Sequence, residues 1–326
     1  MVQLPKKSKR YNQTEPIFLR NLGQYYHDAS SVCQYQTHGR SSLEKNSRKS
    51  EFIYAWRTTT KRDTNLNNGV EVETKIALVI PARLASHRFP GKVLHRFENT
   101  PMIEHVRRRA CMVKGISGVY IATCDHAVRE EIELRGGNVI MTSDKHINGT
   151  NRAAEAIDSI DCTHVVLVQG DEPLILPNHI QILVDSIYDQ PEGGIWNIVS
   201  PVHNPDELDN PSIVKCLLNK DGHMMLCFRK SPCISPIDSQ MKIVKKICGI
   251  YGFDRTSLKK IARLEPMEYA KRESIEQMLV IESGMKILAR ELSYTYPGVN
   301  LHEDAAVVES IFQKDRSQMA LLNTYN

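Results

Sequence analysis

The amino-acid sequence predicts an α/β domain in which a mostly parallel, mixed sheet is covered by helices on both faces. Short apolar runs alternate with segments of helical periodicity from residue 75 onward, and this alternation is typical of βαβ units. Polar and glycine-containing stretches follow several of the apolar runs directly. In open parallel sheets that position, beyond the carboxyl ends of the strands, is where ligands bind.

Four strands are predicted in the first half of this region, because each run is short and almost wholly apolar, as strands buried on both faces are. They are KIALVI (75–80), GVYIAT (118–123), NVIMTS (138–143) and THVVLVQ (163–169). Helical spacing predicts helices over 101–113, 127–136, 150–160 and 177–189. Thr150 is the expected N-cap of the third helix, while a glycine ends the second and a proline opens the fourth.

The second half of the domain has a less regular pattern. Residues 210–228 predict a β-hairpin with Lys220-Asp221-Gly222 as its turn. Residues 245–254 predict a further strand, and a helix that ends in glycine is expected over 269–284.

Residues 1–74 differ from the rest by weak apolar periodicity and by a surplus of Lys and Arg, which accounts for most of the net charge of +4. We interpret them as a basic, poorly structured extension of a domain at residues 75–326. Contact of this tail with an anionic membrane or with nucleic acid is an alternative, although nucleic acid is not the expected partner. An organelle transit peptide is a third interpretation, but such peptides contain few acids. The acids of this segment include Glu15, Asp28, Glu44 and Glu51.

Composition is that of a soluble globular protein, with 41% apolar and 25% charged residues. The chain has no apolar run of the length that a transmembrane helix requires, and its N-terminus lacks the apolar segment of a secretory signal. The eight cysteines form no CxxC pair and no Cys/His group with zinc spacing. We therefore expect reduced thiols, no membrane span and a cytoplasmic location.

The segment from Ile80 to Lys92, IPARLASHRFPGK, carries the strongest chemical signal in the sequence. Arg83, Arg88 and Lys92 share this loop with small residues that let backbone N–H groups approach phosphate oxygens. The spacing of a Walker A loop is absent, so the pattern indicates a triphosphate site of another type. An ordinary basic loop is the alternative, but it does not explain a pattern as long as PARxxSxRxPGKxL.

This loop resembles the N-terminal signature of 3-deoxy-manno-octulosonate (Kdo) cytidylyltransferases, also called CMP-Kdo synthetases, and acylneuraminate cytidylyltransferases have a related loop. Further segments resemble that family in the same order, namely PMIEHVRRRA, IATCDH, RGGNVIMTS, HINGTNR and VQGDEP. The resemblance implies a three-layer, Rossmann-like nucleotidyltransferase fold with a mostly parallel mixed sheet and a small β-rich dimerisation subdomain. It also implies CTP and a sugar acid as substrates, and a homodimer.

The resemblance implies that residues at the carboxyl edge of the sheet bind the nucleotide. These are Pro81, Ala82, Arg83, Lys92, Thr123, Ser143, Gln169 and Gly170. Arg83, Arg88 and Lys92 would hold the β- and γ-phosphates and stabilise the leaving pyrophosphate. Together with Asp171 they are the expected catalytic residues.

Asp171 follows a buried strand, and a carboxylate at this edge suits Mg²⁺, which takes one or two carboxylates together with phosphate oxygens. In the family that the chain resembles, this Asp and a second Asp in the motif GVDTPEDL are the metal ligands. The matching segment here, PGVNLHED, has Asn300 at the second position. An amide oxygen still ligates Mg²⁺ but brings no negative charge, so we expect weaker metal binding at Asp171 and Asn300, or more reliance on phosphate oxygens. Glu303 and Asp304 either compensate or cap the final helix.

Other residues match positions that the related family uses for the sugar acid. They are His146, Arg152, Lys215, Lys230, Tyr251, Glu276 and Gln277. The chain departs from the family pattern at Asn148, Asn151, Lys230 and Ile247, where the family has Ser, Asp, Arg and His. A purely structural helix start is the alternative for 146–152, and a solvated helix face is the alternative for the Glu276–Gln277 pair.

The chemistry that the resemblance implies is attack of a sugar hydroxyl on the α-phosphorus of CTP, with pyrophosphate as the leaving group. Three hypotheses remain open at this point. The acid is Kdo or a modified 3-deoxy-octulosonate; or the same chemistry serves another acid, such as a nonulosonate or a phosphono-acid; or the chain is a nucleotide-binding paralogue without catalysis. The last is supported by Asn300 alone.

Overall fold

The computed structural model describes residues 66–67, 70–71, 73–86 and 88–324. The extension inferred for residues 1–74 lies almost wholly outside these ranges, so its interpretation stays a prediction. Within the described ranges, no helix is long and apolar enough to cross a membrane. The seven cysteines found there all carry free thiols.

Strands and helices alternate through most of the described chain, as the apolar pattern predicts. The strands are β1 (Leu66–Asn67), β2 (Val70–Glu71), β3 (Ile76–Ala82), β4 (Arg96–Phe97), β5 (Thr100–Pro101), β6 (Gly118–Thr123), β7 (Asn138–Met141), β8 (His164–Val168), β9 (Ile195–Pro201), β10 (Lys215–Leu218), β11 (Met224–Phe228), β12 (Lys245–Asp254) and β13 (Leu288–Glu291). The α-helices are α1 (Met102–Ala110), α2 (His126–Glu133), α3 (Gly149–Ala156), α4 (Pro177–Asp189), α5 (Asp206–Asp209), α6 (Ile237–Ile243), α7 (Arg255–Ile261), α8 (Glu268–Glu273), α9 (Glu276–Glu282), α10 (Asp304–Lys314) and α11 (Arg316–Asn323).

The main sheet is mixed, and its parallel half consists of the four strands that the sequence predicts. These lie in the order β8-β3-β6-β7, all parallel. Strand β12 pairs antiparallel with β8 and with β9, and β9 pairs in parallel with β13. The predicted hairpin is also confirmed: β10 and β11 pair antiparallel, and β10 joins the first residues of β12. The carboxyl ends of β3, β6 and β8 therefore meet at one edge.

Side chains of β3 alternate between two hydrophobic clusters, one on each face of the sheet. Ala77 and Val79 pack with residues of α3, whereas Ile76, Leu78 and Ile80 pack with residues of α1 and α4. All five are fully buried, which explains why this strand is a continuous apolar run instead of an alternating one. The predicted three-layer arrangement is confirmed.

A third hydrophobic cluster attaches the C-terminal helices beside the carboxyl edge of the parallel strands. Val299, just before α10, packs there with Phe312 of that helix and with Phe89 of the loop after β3. Val299 N–H also donates to the backbone carbonyl of Asp171 at 2.8 Å. Three segments that are remote in sequence thus meet next to the end of β8.

Two local predictions are wrong. The N-cap of α3 is Asn148, whose side-chain oxygen accepts from Asn151 N–H at 2.8 Å, because the hydroxyl of Thr150 donates instead to a distant carboxylate, Glu276. The single helix expected over 269–284 is two helices, α8 and α9. They are separated at Ser274, whose φ of 53° places it in the left-handed region that ends a helix.

Candidate active site

A cleft of about 370 Å³ lies at the carboxyl ends of β3 and β8, and it gathers most of the residues predicted from the sequence. The predicted residues that line it are Pro81, Ala82, Arg83, Arg88, Lys92, Arg152, Gln169, Gly170, Asp171 and Glu276. They come from four segments that are remote in sequence, namely β3 with its following loop, α3, the end of β8 and α9. The parallel pairing of β3 and β8 brings the first and third of these to one edge. Ile147, Asn148 and Gly149 also line the cleft and were not among the predicted ligands.

The loop after β3 is held in place by backbone hydrogen bonds and one carboxylate. Leu84 N–H donates to Asp125 Oδ2 at 2.8 Å, and the carbonyl of Leu84 accepts from Gly91 N–H at 2.9 Å. Gly91 has φ of +72°, which favours glycine at this turn. Asp125 is therefore a residue that orders the loop after β3. Its sequence signal was its position directly after a predicted strand.

Lys92 connects this loop to the end of β8. Its ammonium donates to Asp171 Oδ2 at 2.6 Å and to the carbonyl of Val299 at 2.9 Å. The two side chains are only 12% and 28% exposed, so solvent screens this ion pair less than it screens a surface pair. The ammonium of Lys92, which is one of the three cations of the loop, thus lies against the carboxylate that is predicted to bind metal.

Arg88 reaches the other predicted metal ligand. Its guanidinium lies 3.4 Å from Asn300 Oδ1. The carboxylate of Asp304 accepts from the N–H groups of Asn300 and Leu301, both at 2.8 Å. This carboxylate therefore orders the turn that presents Asn300. It accepts from residues before α10 and not from the first turn of that helix, so the contacts of Asp304 support neither compensation at the metal site nor a helix cap.

Glu172 follows Asp171 without lining the cleft, and sequence reasoning missed it. Burial, and secondarily the Asp171 carboxylate, raise the pKa of Glu172 to about 8. Its carboxyl lies beside two glycines: a Cβ on Gly249 would come within 2.9 Å of Glu172 Oε1, and a Cβ on Gly298 within 3.1 Å of Oε2. Only glycine leaves room for this carboxyl between β12 and the segment before Val299. The clue in the sequence was a glycine in each of GIYG and PGVN.

The far side of the cleft carries a second carboxylate, Glu276, at the first turn of α9. Its Oε2 accepts from Thr150 Oγ1 at 2.5 Å, and burial raises the pKa of this carboxyl. Arg152 lies nearby with its guanidinium bonded to Thr142 Oγ1 at 2.5 Å. This side therefore offers hydrogen-bonding groups whose positions are set by buried contacts.

A small inner cavity adjoins the cleft and shares Asn148 and Glu276 with it. Tyr251 and Gln277, both predicted to contact the substrate, line this inner cavity and not the cleft itself. Gln277 donates to the buried Asn197 at 3.1 Å. These two predicted residues are adjacent to the site, behind Glu276.

Six other predicted residues do not line the cleft, and Asn300, described above, is one of them. Thr123 is buried and its hydroxyl accepts from Asp125 N–H at 3.1 Å. The N–H of Ser143 donates to Glu155, and His146 also pairs with Glu155, so both organise the loop that presents Ile147 and Asn148. The remaining two are Lys215, which is fully buried, and Lys230, which is exposed. Their predicted contacts with ligand stay predictions.

The donor atoms near Asp171 suit a hard divalent cation. They are the Asp171 carboxylate and the Val299 carbonyl, which both bond to Lys92, and the amide oxygen of Asn300, which lies against Arg88. Mg²⁺ prefers such oxygen ligands. Within the described ranges, no group of three or more His, Cys, Asp or Glu side chains is placed to hold a metal. The arrangement therefore fits an ion that takes few protein ligands and completes its shell with phosphate oxygens, as Mg²⁺ does in nucleotide sites.

Comparison with known proteins agrees with this geometry. The sequence profile of a family described as cytidylyltransferase matches residues 77–287. The 3-deoxy-manno-octulosonate cytidylyltransferase of Thermodesulfovibrio yellowstonii is 36% identical in an alignment of 264 residues that covers 76% of this chain and 98% of the relative. The Escherichia coli protein of the same name is 31% identical, covering 76% of this chain and 100% of the relative. An 8-amino-3,8-dideoxy-manno-octulosonate cytidylyltransferase of Shewanella sediminis is 34% identical, covering 72% and 97%.

A solved structure supports the same grouping. The CMP:2-keto-3-deoxy-manno-octonic acid synthetase, complexed with CTP, superposes with a TM-score of 0.70 at 30% identity, covering 74% of this chain and 100% of that one. A cytidylyltransferase from Leptospira borgpetersenii shares the fold alone, with a TM-score of 0.53 at 17% identity.

Proposed function

The chain belongs to the cytidylyltransferase family, and from this premise we propose that it transfers the CMP group of CTP to a 3-deoxy-octulosonate sugar acid. Relatives and the matched solved structure carry names that specify this acid or its 8-amino derivative. Those names match what the sequence motifs imply. Pyrophosphate is the second product of such a transfer.

One observation carries the proposal: a single cleft has cations at one end and a hydrogen-bonded carboxylate at the other. The first, which we call the phosphate end, is lined by Arg83, Arg88 and Lys92 together with Asp171. The second, which we call the acid end, is lined by Glu276. A triphosphate needs the cations, whereas a polyhydroxylated acid needs acceptors for its hydroxyl groups. The cleft therefore suits both substrates at once.

The chemistry at such a site is mainly positioning and charge neutralisation. The sugar hydroxyl attacks the α-phosphorus, the bond from that phosphorus to the bridging oxygen of pyrophosphate breaks, and the hydroxyl proton passes to water. The loop cations neutralise the negative charge that develops on the leaving pyrophosphate. In this mechanism no His or Cys nucleophile is required.

We further propose that Asp171, with Asn300, holds Mg²⁺ when CTP is bound. Bound Mg²⁺ supplies positive charge at the phosphates and orients the reacting groups. Lys92 neutralises Asp171 in the ion pair described above, so this carboxylate is compensated in the absence of a divalent ion. Because Asn300 carries an amide, Asp171 is the member of the proposed Asp171–Asn300 ligand pair that supplies a negative charge.

Release of pyrophosphate tests the function. The chain is incubated with CTP, MgCl₂ and one acid from a panel of Kdo, 8-amino-3,8-dideoxy-manno-octulosonate, N-acetylneuraminate and a phosphono-acid. We expect turnover with one or both octulosonates. Turnover only with a nonulosonate or phosphono-acid would assign a different acid. CTP binding without turnover on any of them would identify a non-catalytic paralogue and contradict the proposal.

A homodimer in a reducing, cytoplasmic compartment completes the proposal. The free thiols of the described ranges suit such a compartment. Strand β11 lies at an edge of the main sheet, and it and the following segment expose Met225, Ile234, Ile237 and Ile243. Exposed apolar side chains beside a sheet edge are typical of an interface. Light scattering after size exclusion tests it, with Ile234→Glu and Ile237→Glu expected to yield monomers.

A further inference from the structure

Arg229, the residue after β11, makes contacts that the motif comparison did not anticipate. Its guanidinium donates to three backbone carbonyls: Nε to Glu273 at 2.6 Å, Nη1 to Pro211 at 2.8 Å and Nη2 to Ser274 at 2.8 Å. The planar fork of an arginine can satisfy several acceptors at once, which a lysine ammonium cannot do with the same geometry. The side chain thus joins two loops that are far apart in the sequence.

A second cation lies beneath this contact. The ammonium of Lys215 donates to the carbonyl of Asn210 at 2.8 Å and to the carbonyl of Arg229 itself. Lys215 is fully buried. The two cations therefore share the segment at residues 210–211: Lys215 joins it to the backbone of Arg229, and the Arg229 side chain joins it to residues 273–274.

The segment held by Arg229 leads directly into the acid end of the cleft. Ser274 adopts the left-handed conformation, with φ of 53°, which is unfavourable for a residue with a side chain unless the surroundings hold it. Two residues later, Glu276 lines the cleft. Between them Ile275 is buried in the core, so the turn at Ser274 sets the direction in which α9 begins.

We propose that Arg229 is a positioning residue for the sugar acid, which acts by holding the turn at Glu273–Ser274 and thereby placing Glu276 and Gln277. This inference rests on the proposed function and names a residue that determines how the acid end of the same cleft is built. Lys230, the neighbour that the motif predicts as a ligand, is exposed.

The electrostatic environment of Arg229 also indicates that this residue lies near the loop after β3. Burial, and next the charge of Arg88, lower the pKa of Arg229 from its ordinary value. Arg88 lines the cleft. Arg229 is thus close enough to the site for its charge to interact with the loop, while its N–H groups remain bonded to carbonyls.

The test compares Arg229→Gln with a matched control, Arg255→Gln. Arg255 is also half-buried, donates to a backbone carbonyl, that of Ile160 at 3.1 Å, and like Arg229 does not line the cleft. It differs from Arg229 in that this hydrogen bond goes to Ile160 and not to the turn at Glu273–Ser274. Pyrophosphate release is measured as a function of each substrate. For Arg229→Gln we expect the KM of the sugar acid to rise on the order of tenfold, because a displaced ligand group weakens binding sharply. The KM of CTP for Arg229→Gln should stay close to the wild-type value. The melting temperature of Arg255→Gln should also stay close to that of the wild type.

Arg229→Lys adds a second measurement if Arg229→Gln does not accumulate as folded protein. It keeps the charge but not the fork, so the KM of the sugar acid should still rise, by less than in Arg229→Gln, with CTP binding retained. An unchanged KM for the acid in either folded variant, or equal increases in both KM values, overturns the inference while wild-type turnover stands. A wild-type chain that binds CTP but turns over no acid overturns the proposed function, and the inference with it.

Discussion

The two ends of the cleft are built in different ways. At the phosphate end, the cations come from one continuous loop and meet a carboxylate at the end of the adjacent strand, 2.6 Å from Lys92. At the acid end, Glu276 depends on Thr150 from α3 and on the turn that Arg229 holds. The phosphate end is thus specified by local motifs, and the acid end by long-range hydrogen bonds. We therefore expect the phosphate end to lose its function when a charged side chain is removed, and the acid end to lose its function when Glu276 is displaced.

The largest effect is expected from Asp171→Ala at the phosphate end. Removal of a group that organises charge around the reacting phosphate should lower kcat by about 10³-fold or more, with little change in the KM of the acid. Asp161→Ala is the control, because Asp161 is an exposed carboxylate that also pairs with a lysine, Lys75, at 2.7 Å. Near-normal pyrophosphate release by Asp171→Ala would sink the assignment.

Gly298→Ala tests whether the segment before Val299 must pack closely on the end of β8. An added Cβ would lie 3.0 Å from the carbonyl oxygen of Asp171 and 3.1 Å from Glu172. We expect a loss of about 1–3 kcal/mol in the free energy of unfolding, together with reduced turnover.

Gly284→Ala is the matched control for that variant. Gly284 has φ of +77° but open space around it, so the cost should be roughly 1 kcal/mol from backbone strain alone, with normal turnover. Urea denaturation and pyrophosphate release measure both variants. Equal losses of stability with full activity in each would show that close packing at Gly298 does not matter for the site.

Thr150→Val tests the acid end without removing a charge. Loss of the hydroxyl removes a hydrogen bond to Glu276, which is worth about 1 kcal/mol, so the KM of the acid should rise several-fold while that of CTP is unchanged. The hydroxyl lowers the pKa of Glu276 against the larger effect of burial. Without it the pKa rises further, and the increase in KM should be greatest at low pH. Thr256→Val, at an exposed position, is the control. If Thr150→Val raised the KM of the acid and the KM of CTP equally, the division of the cleft into two ends would be contradicted.

The smallest effect at neutral pH is expected in the scaffold, at His179 of α4. Burial lowers the pKa of His179 to about 4, so only the unfolded chain takes up this proton as the pH falls from about 6.5 towards 4. Its contribution to stability is therefore complete above pH 6.5 and is lost on acidification. His179→Gln should reduce the slope of unfolding free energy against pH by up to about 1.4 kcal/mol per unit in this window. An unchanged slope would contradict this contribution of His179 to the pH dependence of stability. The activity of His179→Gln at pH 7 should be unaffected.

Much of the fold and of the phosphate end was predictable because both depend on contiguous residues. The strands at 76–82, 118–123, 138–141 and 164–168 follow from apolar runs, and the loop cations follow from one motif. The acid end was predicted less well. Tyr251 and Gln277 line an inner cavity behind Glu276, and the helix expected over 269–284 is broken at Ser274. Helical periodicity continues across Ser274, so the pattern could not indicate a break that a distant arginine stabilises.

The α/β class, the strands of the parallel half of the sheet and the cationic loop after the first of them can be read from the sequence alone, because periodicity and local motifs encode them over a few residues. Three contacts become visible only in the folded chain: Lys92 pairs with Asp171, Glu172 lies between Gly249 and Gly298, and Arg229 holds the turn before Glu276. Each of these contacts joins segments that are about 40 to more than 100 residues apart. Such contacts depend on which strand ends become neighbours, and on space that only glycine leaves open, and neither is visible in a local pattern.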